Sequence, residues 1–363
     1  MPGKIKRILK FVKKNGILMT IRGGYVKVLQ KVGGIRPLVS VVMPVYNVEN
    51  YLEQTLDSLL NQTMKHFEII AVDDGSTDRS LEILKRYAGK DSRIHVLTQK
   101  NQYAGVARNT GLAKAKGEYV VFLDSDDFFE KNLLKDTYYK GKLYKADIVL
   151  YGGKYYDEAT GKSWKAKGLL RGGMVPSKQP FHYKDCPDKL YQMTTACPWT
   201  KLYRRKFVLN SGLQFQPLFN ANDVFFVSSS IAMAERIVTV DKTLVNYLVG
   251  QTGNLQSSKK SYFYEALTAW REKLIEIGRY EELKQSYVNC ALAGSLYNLR
   301  VMKDLEAKRN VFDKLKNEAF ESLELYGHAP DYYYVQEHYE DMVLVMNNSF
   351  EQYMDIKYGQ RET

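Results

Sequence analysis

The chain has 363 residues, with 53 Lys plus Arg against 41 Asp plus Glu, a formal charge of +12. Its 45% hydrophobic content supports a sizeable core and excludes a fibrous or wholly disordered chain, while no run reaches the ~18 apolar residues that span a bilayer. Cys186, Cys197 and Cys290 are odd in number and unpatterned, and the five histidines lack ligand spacing, so neither a disulfide frame nor a zinc site is supported and a reducing cytoplasm fits.

Residues 1–36 hold ten of the bases and no acid. Ile5, Ile8, Leu9, Phe11 and Val12 interleave with them, as do apolar residues at 17–21 and 25–29. This pattern predicts basic amphipathic helices, broken at Gly23-Gly24 and Gly33-Gly34, lying on an anionic membrane surface. A solvated tail and packing on the protein itself are the alternatives. A purely electrostatic nucleic-acid arm needs no regular apolar face, so no nucleic acid is expected.

From residue 39 the pattern alternates. A β-rich run at 39–45 stops at Tyr46-Asn47, and residues 48–63 carry Leu52, Leu56, Leu59 and Leu60 at helical spacing. A second strand at 67–72 ends in Asp73-Asp74-Gly75-Ser76-Thr77-Asp78, where Ser76 or Thr77 is expected to cap the next helix. A third strand is predicted at 94–97 and a Gly- and Ala-rich helix at 101–115. The run Tyr119-Val120-Val121-Phe122-Leu123 reads as a buried strand, and Asp124-Ser125-Asp126-Asp127 follows it. Three carboxylates there need hydrogen bonds or a cation, and a hard divalent ion sharing a diphosphate meets that need; an ordinary acidic turn is the other reading. Strand–helix alternation at this spacing predicts a Rossmann-like α/β fold, a mostly parallel sheet flanked by helices. Such sheets bind ligands beyond the strand carboxyl ends, where three polar clusters converge.

Four pieces of this stretch occur together and in order: Pro44-Val45-Tyr46-Asn47, Val72 to Asp78, Gly105-Val106-Ala107-Arg108-Asn109-Thr110-Gly111, and Asp124 to Asp127. On them the chain resembles the family 2 glycosyltransferases, which have the GT-A fold. The close resemblance covers about residues 38–130, and a looser one runs to about 256. It implies a nucleotide-sugar donor, usually a UDP-sugar. Pro44 would lie beside the uracil, with Tyr46 and Asn47 next to it. Asp74 would accept from the ring N–H, and Arg108 would reach the base or ribose. Asp124 and Ser125 would sit near the ribose, and Asp126 would hold Mg or Mn on the diphosphate. Asp73 and Asp78 read better as turn chemistry, and Arg108 as a surface ion pair stays open.

Further on, a strand is predicted at 147–151 and an aperiodic loop over the acceptor at 155–183. The stretch Cys197 to Arg205 matches a family Trp-x-Lys-Leu-Tyr-Arg pattern, putting Trp199 and Lys201 on the acceptor side. Members commonly carry Glu-Asp where this chain has Asn222-Asp223. The resemblance implies that Asp223 is the general base of an inverting transfer, taking the proton of the attacking hydroxyl. Asn222 departs from the pattern, which alters the field on Asp223 or the acceptor preference. Either residue also suits an N-cap for a helix at 224–235. A strand at 237–240 precedes a polar loop that in the family folds over the diphosphate; Gln251 and Thr252 would donate hydrogen bonds to phosphate there, and this loop departs from the family in having no Arg or Lys.

Helices are expected at 262–278, 281–303, 307–325 and 334–353. Tyr332-Tyr333-Tyr334 fits helix packing or sugar stacking. Three segments result: 1–36, a catalytic domain at 37–258, and a helical region at 259–363 that forms a homo-oligomer interface, docks a membrane or covers the acceptor. The expected function is an inverting glycosyltransferase on the inner face of the cell membrane, adding a sugar to a lipid-linked envelope or capsule glycan. Competing readings are a GT-A scaffold subunit and a sugar-1-phosphate nucleotidylyltransferase. Tyr46-Asn47-Val48-Glu49 stands where the latter needs an Arg-containing Gly-rich loop. No G-x-G-x-x-G follows the first strand, which disfavours a nicotinamide enzyme.

Overall fold

Alternating apolar runs and helical spacings become a single sheet with helices on both faces. The computed structural model describes residues 36–250 and 261–359. The chain forms two units, Met1–Arg36 and Pro37–Thr363, and the amphipathic helices predicted before residue 36 lie outside the described residues.

The strands are β1 (Val39–Val45), β2 (Phe67–Asp73), β3 (Ile94–Thr98), β4 (Tyr119–Phe122), β5 (Phe128–Phe129), β6 (Ile148–Asp157), β7 (Lys162–Lys165), β8 (Lys201–Arg204) and β9 (Ile237–Val249). Their order across the sheet is β3-β2-β1-β4-β8-β6-β9-β5, with β7 paired to β6. The β3-β2-β1-β4 half and the β6–β9 pair are parallel, while β8 runs antiparallel between β4 and β6. The sheet is therefore the mostly parallel GT-A type expected. Helices α1 (Leu52–Leu60), α2 (Ser80–Ala88), α3 (Tyr103–Lys114) and α4 (Leu133–Tyr144) connect the first strands.

Period-two alternation assigns the two faces. Val39, Val41, Met43 and Val45 of β1 join Tyr119 and Val121 of β4 under α1 and α4, while Val42, Val120 and Phe122 point the other way. On that second face lie α5 (Arg205–Ser211) and α6 (Val224–Met233). Helix α6 is apolar on nearly every side and buried along its length, as a helix covered on both flanks must be. Its outer flank is covered by α7 (Phe263–Glu276), followed by α8 (Tyr280–Val301), α9 (Leu305–Lys314), α10 (Gln336–Asn347) and α11 (Phe350–Tyr358). One apolar core runs from Phe122 through Phe226 to Trp270, Phe312 and Tyr353.

Several local expectations are corrected. The segment at 155–183 is partly a hairpin, since β6 extends to Asp157 and pairs with β7. The strand expected to end at 240 continues to Val249. The helix expected at 334–353 is two, separated at Asn348-Ser349, where Ser349 caps α11 in a capping box with Gln352. Ser76 and Thr77 do not cap α2, which begins after Arg79 without a side-chain cap.

Candidate donor and acceptor site

Ser76 and Thr77 are held elsewhere, by the turn that ends β1. Asn47 sits in the left-handed region at φ 51°, tolerable for an Asn. Its amide N–H donates to Ser76 Oγ (3.2 Å), and its Oδ1 accepts from the Thr77 amide (2.8 Å). Asp78 accepts from the amides of Glu49 (3.0 Å) and Ser80 (2.9 Å), so it is turn chemistry as expected. These bonds stitch the carboxyl ends of β1 and β2 together. Pro44 is buried on β1 opposite Val72, and Tyr46 is 47% exposed beside it. Asp74 is buried, and its Oδ1 accepts from Gln99 Nε2 (2.8 Å) and the Gln102 amide (3.0 Å).

The glycines of α3 are explained by close approach. A Cβ on Gly105 would meet the backbone of Gln216, and one on Gly111 would meet Val42. Asn109 clips the same crossing segment, exchanging bonds with the Phe215 carbonyl (2.8 Å) and amide (2.9 Å). Arg108 is thereby aimed at the turn after β4. Its Nη2 donates to Asp124 (2.6 Å), its Nη1 to Asn222 Oδ1 (2.8 Å), and its guanidinium lies 5.4 Å over the Phe215 ring. Arg108 is buried, so its ion pair belongs to the site and is not a helix-surface bridge.

The acidic turn is fixed from below by α1. Thr55 Oγ1 lies 2.9 Å from the Ser125 carbonyl and 2.7 Å from that of Asp127. Ser58 accepts from the Phe129 amide, and Gln62 bonds the Glu130 carbonyl and the Leu134 amide. Ser125 and Asp127 are buried, whereas Asp124 and Asp126 reach the surface. Asp127 Oδ1 accepts from the Leu248 amide (3.0 Å), tying the turn to β9. Burial holds the Asp127 carboxyl well above the ordinary carboxylate range, with Asp126 and Asp124 adding to the effect. Asp127 thus serves the turn structurally, through its bond to β9.

Asn222 and Asp223 precede α6. Asn222 is buried, donates to the Leu218 carbonyl (3.3 Å) and receives Arg108. Asp223 keeps a small exposed surface within an otherwise enclosing surround and forms no side-chain cap of α6. Burial raises its pKa, and the Arg108 charge opposes that most strongly, with Lys201 opposing it less. Trp199 stacks on Tyr247 at 5.2 Å, and burial followed by Asp127, Asp124 and Asp126 raises the Tyr247 pKa, which places that stack beside the acidic turn. Lys201 is fully buried. Its ammonium lies within 3.1 Å of Thr194 Oγ1, the Thr195 and Cys197 carbonyls and Thr200 Oγ1, so it fastens the 194–200 loop and does not face open space.

Residues 40–210 match the family description "Glycosyl transferase family 2". The putative glycosyltransferase EpsH of Bacillus subtilis strain 168 is 30% identical over 296 residues, 77% of this chain and 82% of EpsH. This chain belongs to glycosyl transferase family 2. Glycosyltransferase GlyA of Streptococcus pneumoniae serotype 4 is 27% identical over 82% of the chain, which spans only 44% of GlyA. The structure of Staphylococcus aureus TarS 1-349 in complex with UDP-GlcNAc shares the fold, at TM-score 0.65 and 23% identity over 89% of this chain and 91% of that one.

In this family 2 chain no three acidic, His or Cys side chains gather on one point among the described residues. The donor set still fits a divalent cation. Asp127 is buried and tied to Leu248, and one Asp124 oxygen is shared with Arg108, so the carboxylates that reach the surface of the turn are those of Asp124 and Asp126. One or two carboxylates suffice for an ion that takes its other ligands from phosphate and water. Gln251 and Thr252 lie outside the described residues. Sequence reading missed Thr55, Ser58 and Gln62. Their signal was a polar stripe at helical spacing 55, 58, 62 beside a leucine stripe, on a helix predicted to pack against the sheet.

Proposed function

We propose that this chain transfers a sugar from a UDP-sugar to a hydroxyl of a bacterial envelope glycan, with inversion, using Asp223 as the base. The observation that carries the reading is the Arg108 bridge. It joins Asp124, at the end of the donor half, to Asn222, next to Asp223, and so brings the donor and base segments together.

The donor end follows from chemistry. Asp74 offers only acceptors and suits the N–H edge of uracil, with Pro44, Tyr46 and Asn47 framing it. Asp124 and Ser125 suit the ribose. Asp126, with Asp124, is where Mg or Mn would bind, and such an ion supplies charge neutralisation for the departing diphosphate. The acceptor oxygen forms its bond to the anomeric carbon while its proton passes to Asp223 and the sugar–diphosphate bond breaks, releasing UDP. No covalent enzyme intermediate is required. A raised carboxyl pKa makes Asp223 a better proton acceptor than an ordinary aspartate. Trp199, stacked beside the acidic turn, is the acceptor-side platform.

TarS is named as bound to UDP-GlcNAc, which favours a UDP-N-acetylhexosamine for this chain. The bases and apolar spacing of residues 1–36 support peripheral attachment to an anionic membrane and a lipid-linked acceptor. No helix among the described residues is long and apolar enough to cross a membrane. We keep the three-part division at 36 and 258 as the working assignment of membrane contact, catalysis and accessory roles.

The test is UDP-GlcNAc hydrolysis with Mn, comparing wild type with Asp126→Ala and Asp223→Asn. The expected result is that Asp126→Ala loses donor affinity, while Asp223→Asn keeps KM and loses roughly 10²–10⁴ in kcat. Absence of binding by any UDP-sugar refutes the donor assignment, and full activity of Asp223→Asn refutes the base.

A further inference from the structure

We propose that the outer face of α4 is a docking surface for an anionic lipid bilayer. The two most exposed large hydrophobic side chains among the described residues are Leu143, 76% exposed, and Tyr139, 60% exposed. They stand four residues apart on α4 and so lie one turn above the other on the same face. The opposite face of the helix packs into the core through Leu133, Leu134 and Tyr138. The exposed pair is therefore not needed to seat α4 on the sheet.

The charges around the pair are one-sided. Residues 131–145 contain five lysines and one acid, Asp136. By helical geometry Lys135 and Lys142 border the pair on one side and Lys140 borders it on the other. Asp136 is neutralised by Lys242 (2.7 Å) and Lys142 by Glu118 (2.7 Å), whereas Lys131, Lys135, Lys140 and Lys145 form no ion pair among the described residues. An apolar stripe with basic flanks is the pattern of an interfacial helix. Lysine stems lie along the apolar region while their ammoniums stay level with lipid phosphates.

A second copy of the chain fits this face poorly. A two-fold contact sets a surface against itself, which here would bring lysine against lysine. A phospholipid surface offers hydrocarbon and negative phosphate together. The place of the face in the fold points the same way. The Leu38 carbonyl accepts from the Glu118 amide (3.0 Å), and the Glu118 carboxylate accepts from Lys142 Nζ (2.7 Å) and the Tyr138 hydroxyl (3.1 Å). The covalent junction with the basic segment 1–36 is thus on the same edge of the catalytic unit as the last turns of α4. Arg236 adds a further cation there, donating to the Tyr144 carbonyl (2.8 Å). Joint action with residues 1–36 rests on the attachment proposed above; the α4 surface itself does not, and neither rests on the transfer reading.

The experiment is co-sedimentation of the full chain with phosphatidylcholine vesicles and with vesicles of equal parts phosphatidylcholine and phosphatidylglycerol. Wild type is expected to bind the mixed vesicles and not the neutral ones. The pair Tyr139→Ser/Leu143→Ser and, separately, the pair Lys135→Gln/Lys140→Gln should each weaken that binding by about tenfold, with UDP-GlcNAc hydrolysis in solution unchanged. Binding carried wholly by residues 1–36 would leave both pairs at wild-type affinity, and that result overturns the proposal. So would failure of wild type to bind the mixed vesicles. A wild-type dimer in sedimentation velocity that the serine pair dissociates would make the face an interface between copies instead. Should the serine pair not fold, the lysine pair, whose side chains lie outside the core, decides. Vesicle binding by a chain without hydrolysis keeps the surface and removes only the transfer reading.

Discussion

Replacing Arg108 by Met tests the bridge between the acidic turn and the segment before α6. The substitution keeps an unbranched apolar stem but removes two charge-assisted bonds, to Asp124 and Asn222. Asn222 Oδ1 stays buried without that donor, costing about 1–3 kcal/mol. Asp124 is 27% exposed and regains water, so its share is at most about 1 kcal/mol. The expected loss is about 1–4 kcal/mol, which for a chain of this size lowers Tm by roughly 1–5 °C. A second effect is electrostatic. Arg108 is the strongest influence holding the Asp223 pKa down against burial, so without it that pKa climbs further. A base works only when deprotonated, so the acid limb of kcat moves to higher pH. Differential scanning calorimetry and a kcat–pH profile read both consequences. An unchanged Tm would mean that the bridge does not form in solution. A lowered Tm with an unmoved acid limb would mean that Asp223 is not the titrating base.

Other substitutions probe the supports of the site. Thr55→Val keeps the shape and removes the hydroxyl beneath the Ser125 and Asp127 carbonyls; it should cost about 1–3 kcal/mol and raise KM for the donor more than it lowers kcat. Lys201→Met leaves the Thr195 and Cys197 carbonyls without their ammonium donor, and a denaturation midpoint about 2–4 kcal/mol lower is expected; equal stability would show that the buried charge was worth no more than methionine. Asp127→Asn tests linkage. The folded-state pKa of Asp127 is raised, so the group's stabilisation is full below the ordinary carboxyl pKa and is lost as pH rises through the folded value. Urea midpoints of the variant should fall less than those of wild type from acid to neutral pH, and parallel curves would show that Asp127 is not protonated in the fold.

The donor half was legible because each of its strands announces itself. β1, β2 and β4 are short apolar runs that stop at a polar cluster, and the parallel sheet brings those stops to one edge. The place of Asn222-Asp223 just before a buried helix was legible through the apolar run of α6 that follows them. What stayed hidden has physical causes. β7 is exposed on both faces, so its residues carry no alternation to read. β9 passes the polar pair Asp241-Lys242, which looks like a strand end, and pairing resumes through irregularities at Gly152 and Gly153 of β6. Ser76 and Thr77 have capping chemistry, but the left-handed turn at Asn47 claims them first. Lys201 looks like any surface lysine, because the four oxygens around its ammonium come from a loop with no periodic signature.

The sandwiched position of α6 bears on how this chain can be cut and recombined. Its inner flank packs on Phe122 and Phe215 and its outer flank meets α7, so a fragment ending before residue 261 would bare an entire apolar flank to water. Such a fragment should aggregate before it reports anything about catalysis. Chimeras that exchange the helices between relatives will keep their solubility only if the α6 surface travels with them. The C-terminal helices are then inherited together with the Asn222-Asp223 segment at the start of α6 and not as a separable cartridge.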